Sequence, residues 1–205
     1  IGTLIEQLTK EEFTAKTKRV PPSLFAHNTQ QRQAQSVHSQ AMGAKGVLGR
    51  IRSALTSQRP LPYATNTYSI HGNMKMAEGD QAPNIIGHSG VGVDMFADQP
   101  IPSDQNARYY ALNARDATSI FAETFSLAIT NMLNETTRLG EAMAGAESNL
   151  REQFGDDKLE QQLRQVAKLI SLRSVLESER DLFVVQHGDY DHHSNLDDVM
   201  SAKLA

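Results

Sequence analysis

The feature that most constrains the fold is a short, unbroken apolar run at residues 182–185, Leu-Phe-Val-Val. The run follows a stretch with helical periodicity, and Gly188 comes soon after it. A continuous apolar run of this length is typical of a strand that is buried on both faces. Such strands belong to parallel sheets that helices cover on both sides. We therefore predict that residues 182–185 form an interior strand of a mostly parallel sheet flanked by helices, in an α/β protein.

Two further short strands are predicted in a loop-rich stretch, residues 57–103. This stretch holds five of the seven prolines, which break regular structure. Between the breakers lie two short runs with strand character, residues 68–70 and residues 85–86. A loop-rich stretch of this length is often functional.

Helices are predicted on both sides of this stretch. Thr9 and Glu12 have the spacing of a capping box, so a short helix should begin there and stop before Pro21. Residues 103–154 are predicted to be helical, and residues 156–178 should form a second helix with an aspartate as N-cap. The predicted core-facing side chains of the two long helices are Phe121, Phe125, Ala128 and Met132, and Leu159, Leu163, Val166 and Ile170.

Composition excludes several classes of function. The chain has 205 residues, a net charge of -4 and no cysteine, so disulfides and thiolate metal sites are excluded. Nucleic acid is not expected as a partner, because no basic excess is present to neutralise phosphates. No apolar run reaches the ~18 residues of a membrane-spanning helix, so we expect no membrane span in this segment.

The residues with the clearest potential for chemistry follow the predicted strand. Residues 187–193 contain three histidines and two aspartates. In open α/β sheets, ligands bind beyond the carboxyl ends of the strands. Carboxylate and imidazole together suit a divalent metal such as zinc or manganese, and Asp191 and His193 have the spacing to point the same way in an extended loop. The alternative is a solvated polar loop in which Asp191 binds backbone N–H groups.

Several segments together resemble an uncharacterised family known as domain of unknown function 1501. Residues 21–33 resemble its L-P-P-x-L-F-S-H-x-x-Q-x-x-Q segment, and residues 159–170 resemble its L-x-x-Q-L-x-x-V-A-x-L-I helix. Residues 181–195 resemble its V-F-F-V-x-x-G-G-F-D-T-H-S-N strand and loop. On this resemblance, residues 1–56 and 156–205 are the family-like core of a single partial domain. Residues 57–155 are a divergent insert, loop-rich and then helical.

The resemblance implies a fold similar to alkaline phosphatases and sulfatases, and an exported protein. It aligns Asp191 and His193 with the Asp and His of the family loop, and it adds His27 as a third candidate metal ligand. The loop departs from the family pattern at Asp189 and His192, which could add ligands or could show that the site is no longer maintained.

Two functions remain open on these grounds. The first is a metal-dependent hydrolase of phosphate or sulfate esters. The second is a non-catalytic structural or binding protein that keeps the fold, with protein partners docking on the helices of residues 103–178. The chain starts at Ile1 and stops at Ala205 inside a helical pattern, so we expect an α/β fold that is incomplete at both ends.

Overall fold

A computed structural model describes residues 7–38, 41, 43–58, 64–87, 119–146, 150, 153–188, 190 and 194–204. Within these residues the chain forms six α-helices, one 3₁₀ turn and three short strands. In chain order they are α1 Lys10–Ala15, α2 His27–Ser36, α3 Val47–Gln58, β1 Thr67–Ser69, the 3₁₀ turn Lys75–Ala77, β2 Asn84–Ile85, α4 Ile120–Gly145, α5 Lys158–Ser171, β3 Leu182–Val184 and α6 Leu196–Leu204. None of the described helices is both long enough and apolar enough to cross a membrane.

The three strands form one parallel sheet in the order β2-β1-β3. Tyr68 of β1 pairs with Asn84 on one side and with Phe183 on the other. The ladders extend one residue past the strands, since the N–H of Ile70 donates to the Val184 carbonyl at 2.9 Å. The prediction of a mixed α/β fold with parallel strands is confirmed, and each predicted strand is present within about one residue at either end.

The predicted interior position of residues 182–185 is wrong for the part of the chain that the structure describes. There β1 is the central strand, and β3 pairs with β1 on one side. Leu182 and Phe183 are only partly buried, whereas β1 is buried along its whole length. The apolar run therefore predicted a parallel strand correctly. Its apolar side chains are explained by packing against helices and do not require a neighbouring strand on each side.

The hydrophobic core lies on one face of this sheet. Tyr68, Ile70 and Ile86 pack there against the C-terminal half of α4, which supplies Leu139 and Met143. The Phe183 ring stacks on the Tyr68 ring with centroids 5.5 Å apart. Thr67 and Ser69 point to the opposite face, because side chains alternate along a strand, and both are fully buried. The sheet is thus covered on both faces.

The N-terminal half of α4 extends beyond this core, contrary to the predicted stripe. Phe121 is 83% exposed and Phe125 is 67% exposed, and Ala128 is also exposed. The side chain of Met132 lies outside the described side chains. A helix rises ~1.5 Å per residue, so Phe121 lies about 27 Å along the axis from Leu139. Three strands span only ~10 Å between the outer two, so the sheet cannot cover the whole helix.

The buried face of α5 is rotated from the predicted one. Val166 packs against the core as predicted, and Leu159 is half-buried. Leu163 and Ile170 are 39% and 54% exposed, so their prediction as core residues is wrong. The buried face instead carries three polar side chains beside Leu169, namely Gln162, Gln165 and Lys168. On this face Gln162 hydrogen-bonds to the backbone of Gln186, as described below.

Two local devices hold α3 and α5 in place. Arg52 of α3 donates from Nε to the Thr65 carbonyl at 2.8 Å and from a terminal nitrogen to the Ala82 carbonyl at 3.0 Å, which ties together the segments that lead into β1 and β2. Burial of this guanidinium lowers the pKa of Arg52. Asp157 is the N-cap of α5, in agreement with the predicted aspartate cap, and it forms a capping box with Glu160.

The start of α3 packs backbone to backbone against the segment after the 3₁₀ turn. The N–H of Gly46 donates to the Glu78 carbonyl at 2.8 Å. A Cβ placed on Gly49 would lie 2.1 Å from the Glu78 carbonyl oxygen. Glycine is therefore required at position 49 for the helix to approach this segment.

Candidate functional site at the carboxyl edge of the sheet

The parallel topology brings the segments after the three strands to one edge of the sheet. His71 follows the end of β1 by two residues, and His187 follows the end of β3 by three. His88 follows β2 by three residues in the sequence but lies outside the described residues. His71 is exposed and His187 is half-buried. The carboxyl edge thus collects histidine-bearing segments from neighbouring strands, which is where α/β proteins bind ligands.

The loop after β3 is fixed by a glutamine from α5. The Gln162 side chain donates from Nε2 to the Gln186 carbonyl at 2.7 Å and accepts from the Gln186 N–H at 2.8 Å. Gln186 alternates with Leu182 and Val184, whose backbone groups bond toward β1. The side-chain amide of Gln162 therefore bonds to Gln186 as β1 bonds to Leu182 and Val184. Gln162 is only 1% exposed.

A lysine from the last described helix fixes the same loop from its other side. Lys203 of α6 donates from Nζ to the Gly188 carbonyl at 3.0 Å. The same ammonium lies 4.8 Å from the centre of the Tyr190 ring, within the range of a cation–π contact. The backbone is therefore held before His187 by Gln162 and after it by Lys203.

His187 and Tyr190 form a close pair within this loop. The Tyr190 hydroxyl lies 2.6 Å from His187 Nδ1, and the two rings meet edge to face with centroids 5.2 Å apart. Asp157, the N-cap of α5, interacts electrostatically with the His187 imidazole. The N–H of Leu159 contributes most to lowering the pKa of Asp157, and the nearby His187 side chain makes a smaller electrostatic contribution in the same direction.

Of the three predicted metal ligands, the structure describes only His27. Asp191 and His193 lie outside the described residues, between Tyr190 and Ser194. His27 is the first residue of α2 and is exposed. The other end of α2 contacts the 3₁₀ turn, where Gln35 Oε1 accepts from the Met76 N–H at 3.1 Å. Among the described residues, no group of three or more His, Asp or Glu is placed to hold a metal ion. The metal site of Asp191, His193 and His27 stays a prediction.

Sequence reasoning missed the residues that position this loop. Gln162 was not predicted as a core residue, and Tyr190 and Lys203 were given no role. The sequence carries no signal for the role of Gln162, because its partners at Gln186 are 24 residues away in the chain and come close only in the fold. The Tyr190–His187 pair depends on loop geometry, which residue types alone do not specify.

The described residues form an α/β protein in which His71 and His187 follow the carboxyl ends of two neighbouring parallel strands. Comparison with protein families, with curated proteins and with solved structures finds no match to this chain. The resemblance to domain of unknown function 1501, and with it the similarity to alkaline phosphatases and sulfatases, stays a prediction.

Proposed function

We propose that the protein is a metal-dependent hydrolase of phosphate or sulfate esters, with its site in the loop after β3. The observation that carries the proposal is the parallel topology. Gln186 and His187 follow β3 at the carboxyl edge of the sheet, where α/β proteins collect ligands, and His71 follows the neighbouring strand β1. Asp191 and His193 bind zinc or manganese in this proposal, with His27 as a third ligand. By the resemblance, the protein is exported.

The donor set fits such a metal. A carboxylate and neutral imidazoles are ligands that zinc and manganese accept, whereas calcium prefers oxygen alone. A bound ion would polarise the ester and make a bound water more acidic. The chain's contribution is to hold the loop: Gln162 binds its backbone on one side of His187, and Lys203 binds it on the other. Ligands held by a fixed backbone lose less freedom when they bind an ion.

Hydrolysis of 4-nitrophenyl phosphate and 4-nitrophenyl sulfate tests this function directly. The assay is run on the full-length protein with zinc or manganese, comparing the wild type with Asp191→Asn and His193→Ala. His38→Ala is the matched control, because His38 is an exposed histidine that contacts Arg50, away from this loop in the sequence. We expect release of 4-nitrophenol by the wild type and the control, and its loss in both site variants. Equal release by all four proteins would contradict the assignment.

A second candidate function is a non-catalytic structural or binding protein with partners on the helices of residues 103–178. It is favoured by the exposed apolar side chains at the start of α4, which are Ile120, Phe121, Phe125 and Leu127. Exposed apolar clusters commonly mark interaction surfaces. A full-length protein that binds no metal and hydrolyses neither ester would favour this candidate over the first.

A further inference from the structure

A polar pocket lies on the core face of the sheet, toward the amino ends of β1 and β2. Its volume is about 30 Å³, which is room for about two waters, and it is partly open to solvent. The start of each of these strands, helix α4 and the segment after α5 line it, and we call it the amino-edge pocket. The lining residues all belong to the described part of the chain and are Asn66, Tyr68, Asn84, Arg138, Leu139 and Leu176.

Two asparagine side chains in the amino-edge pocket lack partners. Asn66 lies two residues before Tyr68, and Asn84 pairs with Tyr68 across the ladder, so all three side chains share one face of the sheet. The backbone of Asn66 bonds to the Asp181 carboxylate and to the Leu182 N–H. Neither asparagine side chain makes a hydrogen bond to another residue in the part of the chain that the structure describes. Because polar groups in a protein interior usually have partners, these two carboxamides favour a polar occupant of the pocket.

Arg138 of α4 supplies a positive charge to the same pocket. One terminal nitrogen donates to the Val175 carbonyl at 3.2 Å and lies 3.9 Å from a carboxylate oxygen of Glu177. The side chains of Arg138 and Glu177 are 51% and 70% exposed, so this ion pair is weak. Nε and the second terminal nitrogen of Arg138 donate to no residue among those that the structure describes. The guanidinium therefore keeps donors for a ligand.

We propose that the amino-edge pocket binds the carboxylate group of a small organic acid. A guanidinium presents its N–H groups in a fork that matches a planar carboxylate, and the amides of Asn66 and Asn84 add further donors. The two oxygens of a carboxylate need about the room of two waters, whereas the four oxygens of a phosphate need more than the pocket offers. Leu139 and Leu176 suit a short apolar substituent on the acid. This inference goes beyond the proposed function, because the pocket and the loop after β3 lie toward opposite ends of the strands.

The experiment titrates the full-length protein, labelled with ¹⁵N, with sodium acetate at constant pH and ionic strength. ¹H–¹⁵N spectra report on the side-chain amides, and the variants Asn66→Ser and Asn84→Ser assign the two pairs of signals. We expect both pairs to move with acetate along the same saturable curve. Acetamide has the same shape without the charge, and it should bind at least about tenfold more weakly, because hydrogen bonds to a charged group are stronger. Inorganic phosphate should also bind more weakly than acetate, because it does not fit.

Variants of one arginine test its role, with a second arginine as the control. Arg138→Met should weaken acetate binding about 10–100-fold, the effect of losing hydrogen bonds to a charged group. Arg138→Lys should fall between this variant and the wild type, because lysine keeps the charge without the fork. Arg180→Met should leave acetate binding unchanged. Arg180 is also about half exposed and lies 3.6 Å from the carboxylate of Glu179, but it does not line the pocket.

Several results would overturn this inference. Asparagine signals that do not move with acetate, or that move equally with acetamide, would do so. Tighter binding of phosphate than of acetate would contradict the assigned ligand class. Equal affinity for acetate in Arg138→Met and the wild type, or equal weakening by Arg180→Met, would remove the role of Arg138. Should Arg138→Met fail to fold, the comparison of acetate with acetamide on the wild type still decides the question. None of these results bears on ester hydrolysis, so the proposed function stands or fails separately.

Discussion

The side-chain amide of Gln162 exchanges two hydrogen bonds with the backbone of Gln186, at 2.7 and 2.8 Å, two residues beyond Val184, the last residue of β3 in the ladder with β1. A side chain from a helix thereby completes the sheet at its carboxyl edge. This contact joins α5 to the loop in which the candidate site lies.

Replacing Gln162 with methionine should destabilise the protein by about 2–5 kcal/mol, because two buried backbone groups lose their partners at ~1–3 kcal/mol each. Gln161→Met is the matched control, since Gln161 bonds to the Asp156 carbonyl in an exposed setting, and it should cost less than about 1 kcal/mol. Urea unfolding measures both. Similar losses of unfolding free energy in the two variants would show that the contact with Gln186 does not stabilise the protein more than an exposed hydrogen bond does.

The two leucines on opposite sides of α5 should respond differently to truncation. Leu169 is fully buried, so Leu169→Ala should lower the free energy of unfolding by about 2–5 kcal/mol. Leu163 is 39% exposed, so Leu163→Ala should cost less than about 1 kcal/mol. Denaturant titration of both variants tests which face of α5 is buried. A larger loss of unfolding free energy in Leu163→Ala than in Leu169→Ala would support the face predicted from the sequence.

Two helical glycines should respond to alanine in opposite directions. At Gly49 the new Cβ would clash with the Glu78 carbonyl, so Gly49→Ala should cost about 1–3 kcal/mol. At Gly140 in α4 a Cβ meets nothing within 4 Å, so Gly140→Ala should stabilise by about 0.5–1 kcal/mol through helix propensity. Thermal unfolding should move in opposite directions for the two variants. A gain in stability at Gly49 would mean that α3 does not approach the segment after the 3₁₀ turn this closely.

Acid should remove the electrostatic part of the α5 cap. The N–H of Leu159 holds the pKa of Asp157 below its ordinary value, so the folded state binds the proton more weakly than the unfolded state. The resulting stabilisation is complete above the ordinary aspartate pKa of about 3.9 and is lost as the pH falls through the lowered value. Asp157→Asn keeps a capping side chain without the charge.

The stability difference between the wild type and Asp157→Asn should therefore be constant near neutral pH and should shrink in acid. Urea unfolding of both proteins at about pH 6 and about pH 3 measures it, and the comparison cancels the other carboxylates. A difference of the same size at both pH values would contradict the assigned role of the carboxylate.

Features set by local chemistry could be predicted from the sequence. The caps at Thr9 and Asp157 follow from residue types at fixed spacing, and both are present. The three strands lie within about one residue of the short runs that the sequence marked, and the unbroken apolar run at residues 182–185 indicated their parallel pairing. The location of the candidate loop at the carboxyl edge follows from that pairing.

Features set by tertiary contacts could not be predicted. Periodicity favoured Leu163 over Gln162 as a core residue. Hydrophobicity alone does not show that the N–H and C=O of Gln186 need hydrogen-bond partners from this helix. Helical structure was predicted within residues 103–154, but the bounds of α4, Ile120–Gly145, and the narrow described sheet that covers only its end were not. The contact of Tyr190 with His187 depends on the path of the loop, which no local pattern encodes.

The most direct test of a divalent metal site in the loop after β3 is the metal content of the full-length protein, purified without chelators and measured by elemental analysis. The account predicts about one zinc or manganese ion per chain in the wild type and a large loss in both Asp191→Asn and His193→Ala, because each removes a ligand. His38→Ala should keep the metal. Equal metal in the wild type and in both site variants, or no metal in any of the four proteins, would contradict the account.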